Sequence, residues 1–90
     1  MQRYESVYSL WATAEYCIST NNPLGAIRSL LAAIQFTEHS QLLQVKTRVR
    51  LAQVLLEHTF ELELAEEHLQ KAVFIFFCFL FFYFYFSKRN

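Results

Sequence analysis

Few side chains in this 90-residue sequence could do chemistry. The three histidines are His39, His58 and His68, and each follows a glutamate, in Glu38-His39, Glu57-His58 and Glu67-His68. Ten residues separate His58 from His68, whereas two zinc ligands on one helix face need a spacing of four. They read as solvated helix-end residues. The sequence contains no Asp, so Ser/His/Asp catalysis is excluded in its usual form, and a Glu version would need distant elements that this length hardly offers. Cys17 and Cys78 share no metal-ligand spacing, and Cys17 falls on an apolar helix face where it behaves as a small hydrophobe. No enzyme, cofactor or metal site is expected.

The elements that position these residues are helices. One Gly and one Pro are too few for a strand-and-turn protein, and Leu, Ala, Glu and Gln favour helix. Formal charge is zero and the basic residues are scattered, so no field exists to draw nucleic acid or an anionic membrane. No signal-peptide core follows Met1, and the cysteine usage fits a reducing compartment.

Apolar spacing predicts a first helix over 4–19, with Val7, Leu10, Ala14 and Cys17 or Ile18 on one face. Asn22 can cap a second helix, and Pro23 suits its first position because the missing N–H is not needed there. That helix is expected over 23–37, with Ile27, Leu30, Leu31 and Ile34 inward and Ala26 and Ala33 as small contact positions. A third, over 41–57, carries the stripe Leu42, Val45, Val49, Ala52 and Leu56 opposite Gln44, Lys46, Arg48, Arg50 and Gln53. A fourth starts near residue 60, with Leu62, Ala65, Leu69, Ala72 and Phe76 inward.

Short connections make these two antiparallel hairpins. At an offset of about 39 residues they match each other: Leu10 with Val49, Cys17 with Leu56, Ala26 with Ala65, Leu30 with Leu69, and Ala33 with Ala72. Ala, a large residue four later and Ala three after that is the buried pattern of a tetratricopeptide-type (TPR-like) hairpin, here with a period longer than the usual 34 or so. The fold class is therefore all-α: two TPR-like hairpins, an α-solenoid fragment, followed by an aromatic C-terminal helix or tail. Lys46, Arg48 and Arg50 are expected beside Glu61, Glu63, Glu66 and Glu67. Such surface pairs contribute under about 1 kcal/mol each.

In repeats of this type the first helix of each hairpin lines a concave groove. In this register the groove positions are Tyr8, Trp11 and Glu15 on the first helix and Thr47, Arg50, Val54 and Glu57 on the third. Trp, Tyr and Arg are frequent interface anchors. The alternative for Trp11 is simple packing on the second helix.

The run from Leu43 through Val-Lys-Thr-Arg-Val-Arg-Leu-Ala to Thr59, followed by Ala65-Glu-Glu-His-Leu-Gln-Lys-Ala72, resembles the N-terminal region of the helical-repeat subunit of the cohesin loader, closest to its plant members. Leu10-Trp-Ala-Thr-Ala-Glu-Tyr16 is similar to that family's opening helix, and Ile27 to Ile34 to the next. The likeness covers about residues 7–74. It implies a nuclear scaffold that wraps the N-terminal segment of a large HEAT-repeat partner. Through that partner it acts on cohesin and chromatin, for sister-chromatid cohesion. The family chain is far longer, so the resemblance implies a truncated member. Two hairpins fall short of the three or so units that repeat arrays need, so marginal folding alone is expected.

The organisation divides into a repeat fragment, 1–74, and an aromatic tail with a basic end, 75–90. From residue 73 to 86 the sequence consists wholly of Phe, Tyr, Leu, Ile, Val and Cys, and the resemblance stops. Three readings compete. A membrane tail anchor flanked by Lys88 and Arg89 would need about 20 apolar residues, and these 14 reach only about 21 Å. A packed helix end would show polar positions each turn. Non-native read-through fits the codons, since every residue type in the run is specified with T at the first or second position. Such a tail would be prone to aggregate. Besides the scaffold, two readings stay open: a tail-anchored membrane protein with a cytosolic helical domain, and a generic TPR-like adaptor.

Overall fold

The structure is a computed structural model that describes residues 3–88. It is all-helical: α1 (Arg3–Ser19), α2 (Pro23–Gln35), α3 (Gln41–His58) and α4 (Leu62–Lys88). Among the described residues there is no strand. The predicted ends are met within two residues, except that α4 runs unbroken into the aromatic segment. Arg89, half of the expected basic flank, lies outside the described residues.

Local chemistry explains the breaks. The Asn22 side chain accepts a hydrogen bond from Gly25 N, and Pro23 opens α2, so one orphan donor of the first turn is satisfied and the missing proline N–H is harmless. Asn21, at φ 60°, turns the chain out of α1; asparagine is among the few L residues that tolerate this region. Ser40 caps α3 by accepting from Leu43 N. Thr59 closes it, its N–H and its hydroxyl both donating to Leu55 O.

The helices pack in chain order, α1 on α2, α2 on α3 and α3 on α4, so two hairpins meet through their middle helices. Their core joins Ala14, Ala26, Leu30, Leu51, Ala52, Val54, Leu55 and Ala65. Ala26, Ala33 and Ala65 are fully buried and Ala72 is nearly so, as the small positions of the two matched hairpins require. A side chain that ends at Cβ lets helix axes come close, and the surrounding leucines fill the rest.

Three inward faces differ from the sequence reading. On α2, Leu31 is 42% exposed, while Ile27, Leu30 and Ile34 on the neighbouring face pack into the core. Of the α3 stripe Leu42, Val45, Val49, Ala52 and Leu56, only Ala52 is buried; Leu42 is 64% exposed, Val49 36% and Leu56 48%. Leu43, Thr47, Leu51, Val54 and Leu55 point inward instead. The helix carries two apolar stripes, and α3 lies between α2 and α4, which together select the second. On α4 the middle of the expected stripe holds, while Leu62 and Phe76 at its ends are exposed. His68, read as solvated, is 7% exposed.

α4 has 27 residues and α3 has 18, about 40 Å against about 27 Å. The last turns of α4 therefore project past the start of α3. The radius of gyration is 14.6 Å, above the roughly 12 Å of a compact domain of this length, and the projecting helix accounts for the excess.

Candidate functional site: the groove between α1 and α3

A groove of about 450 Å³ opens between α1 and α3. Its lining is mostly apolar: Trp11 from α1, Leu30 from α2 as the floor, and Val45 and Val49 from α3. Glu15, Lys46, Arg50 and Gln53 supply the polar edge. The stripe that the core rejected has become a wall. Val45 also borders a smaller apolar recess with Leu42, Ile75, Phe76 and Phe79, so apolar surface continues from the groove toward α4.

Two side-chain links hold α1 against α3 here. Trp11 Nε1 donates to Thr47 Oγ1 at 2.9 Å, while the same hydroxyl donates to Leu43 O at 2.7 Å. Indole has one donor and no acceptor, and a hydroxyl can accept while it donates, so both groups are satisfied. Arg50 grips Glu15 with two bonds, Nε to Oε1 at 2.7 Å and Nη2 to Oε2 at 3.0 Å. This fork-on-carboxylate geometry is the strongest arrangement for such a pair. It holds the Glu15 carboxyl below its ordinary range, chiefly through the hydrogen bond from Arg50. Arg50 is pushed up by the same bond, with a further contribution from Glu57.

Of the seven residues that the repeat register assigned to a groove, Trp11, Glu15 and Arg50 line it. Tyr8 is 55% exposed and meets the Trp11 ring edge-on at 5.4 Å. Glu57 is exposed beside His58. Thr47 and Val54 are corrections, since both are fully buried: at these positions α3 faces its neighbours rather than the groove, and Thr47 serves it by fixing Trp11. The sequence reading missed Leu30, Val45, Lys46, Val49 and Gln53. The signal that pointed to Val45 and Val49 was the surplus of apolar positions on α3, more than one buried face can hold.

The basic strip of α3 is also redistributed. Among the described residues, no ion pair joins it to the α4 glutamates. Arg50 reaches back to α1, and Arg48 donates from Nη1 to His68 Nδ1 at 2.9 Å. A guanidinium only donates, so Nδ1 must be unprotonated and His68 neutral. Burial, then the charges of Arg48 and Lys71, push its pKa down.

The cohesin loading factor family matches residues 6–75, the two hairpins and the first three residues of the aromatic run. The chain belongs to the cohesin loading factor family. Its role therefore lies in cohesin loading, in association with the cohesin-loading machinery. No curated protein and no solved structure gives a significant match. Among the described residues of this family member, no three His, Cys, Asp or Glu side chains gather as metal ligands would.

Proposed function

We propose that the groove between α1 and α3 holds an extended segment of the large HEAT-repeat subunit of the cohesin loader. On this reading the chain is a TPR-like scaffold and not a catalyst, and it acts in the nucleus, on cohesin and chromatin through its partner. The observation that carries the reading is the groove itself: an apolar trough with an aromatic anchor, Trp11, and a polar edge on a chain of this family. Apolar side chains of an extended peptide fill such a trough, while the edge residues pair with its backbone and charges.

Trp11 is the sole tryptophan, so its emission reports binding directly. The test titrates the chain with a peptide from the N-terminal segment of the large subunit, following Trp11 fluorescence. Saturable binding that Val49→Asp abolishes, with helical content unchanged, supports the proposal. Val49 is partly exposed, so its loss should not unfold the chain. Equal binding by Val49→Asp, or none by the parent chain, overturns it; binding to a different protein through the same residues would make the chain a generic adaptor.

A further inference from the structure

The second half of α4 is apolar on every side. Val73, Phe74, Phe76, Phe77, Phe79, Phe81, Phe82, Tyr83 and Phe84 are each 48–70% exposed, and at about 100° per residue they surround the helix axis. No charged residue falls between Lys71 and Lys88. α3 covers α4 only as far as Phe79, where Gln41 and Leu42 begin their helix.

We propose that residues 73–85 of α4 insert into a lipid bilayer. The distribution of exposure selects this occupant over the protein alternatives. A second copy packed as a two-helix seam, or a partner groove, covers one stripe of a helix and leaves the remaining phenylalanines in water. A bilayer surrounds the helix beyond Phe79 and covers the outward faces before it, where α3 takes one side, and α-helical backbone enters it without unpaired polar groups. Tyr83 and Tyr85 stand near one end of the apolar stretch, where tyrosine rings favour the headgroup level, and Lys88 follows. Lys71 and Gln70, both exposed, stand at the other end.

Length fixes the kind of bilayer. The helix that runs through Leu62–Tyr85 is long and apolar enough to cross a membrane, but Ala65, His68 and Ala72 in it are buried against the rest of the fold. The uncharged apolar part, residues 73–85, has 13 residues with α3 along one side as far as Phe79, and measures about 20 Å, short of the roughly 30 Å hydrocarbon core. Thin bilayers therefore accept it more readily than thick ones. The inference does not rest on the groove or its partner, and its test contains neither.

The full chain is mixed with phosphatidylcholine vesicles of short or long acyl chains and floated on a density gradient. The chain is expected to float, more completely with the short-chain lipid. Phe77→Glu/Phe81→Glu is expected to weaken partition by more than about a hundredfold, while far-ultraviolet circular dichroism shows the helices retained. A chain that stays at the bottom with both lipids, as monomer, dimer or aggregate, overturns the proposal. So does a double variant that floats as well as the parent.

Discussion

Trp11 Nε1 donates to Thr47 Oγ1 at 2.9 Å across 36 residues of sequence, and this bond ties the first helix of one hairpin to the first helix of the next. Thr47 is fully buried and Trp11 only partly so. Replacing Thr47 with Val keeps the shape, removes the acceptor, and leaves the indole N–H half-buried without a partner. The expected cost is about 1–2 kcal/mol, read as a lower urea midpoint by Trp11 fluorescence. An unchanged midpoint would show that water replaces the threonine.

The Arg50–Glu15 pair adds a smaller increment. Its side chains are 32% and 56% exposed, so solvent screening limits its value to under about 1 kcal/mol despite two good bonds. Because the folded state holds the Glu15 pKa below 4.5, the contribution is complete above that value and is lost as pH falls through the lower, folded value. Glu15→Gln is expected to flatten the acid limb of the stability curve slightly. The comparison of chemical denaturation near pH 3 and pH 7 measures it.

His68 adds an acid dependence of its own. Its folded pKa lies below 6.5, first because of burial and then because of Arg48 and Lys71. As pH falls below 6.5 the unfolded chain takes up a proton that the folded chain refuses, so stability declines until the folded value is passed. In His68→Leu this part of the slope disappears. Urea midpoints of parent and variant between pH 5 and 8 should converge at the acid end relative to neutral pH, and parallel curves would remove His68 from the account.

Gly25 stands where α2 begins beside α1. A Cβ there would lie 2.6 Å from Asn22 Nδ2 and 2.9 Å from Cys17 Sγ. Alanine ordinarily favours a helix by about 1 kcal/mol over glycine, yet Gly25→Ala is expected to destabilise by about that amount, because the Asn22 cap must move. The same substitution in a Cys17→Ala background should cost less. Thermal melts of the four variants in the cycle test this, and a stabilised Gly25→Ala would show that the cap adjusts freely.

How much of this was legible beforehand follows from the range of each interaction. Helix limits are set by local groups, Asn22, Pro23, Ser40 and Thr59, whose partners lie within a few residues. Pattern and composition therefore determined the four helices, the two hairpins and the buried alanines of α2 and α4. The family was legible too, because charged and apolar positions agreed together over a run of residues. Trp11, Glu15 and Arg50, which line the groove, stand at positions that the repeat register had named.

Tertiary structure decided what periodicity leaves degenerate. α3 offers two apolar stripes, and only the placement of α2 and α4 beside it sends Leu43, Leu51 and Leu55 into the core and leaves Val45 and Val49 to the groove. The same placement buries Thr47 and Val54, and it turns Arg48 to His68 and Arg50 to Glu15. A spacing of three and four states that a helix has a face; which neighbour meets that face is fixed by contacts some 20 to 36 residues apart, and these form only when the hairpins pack.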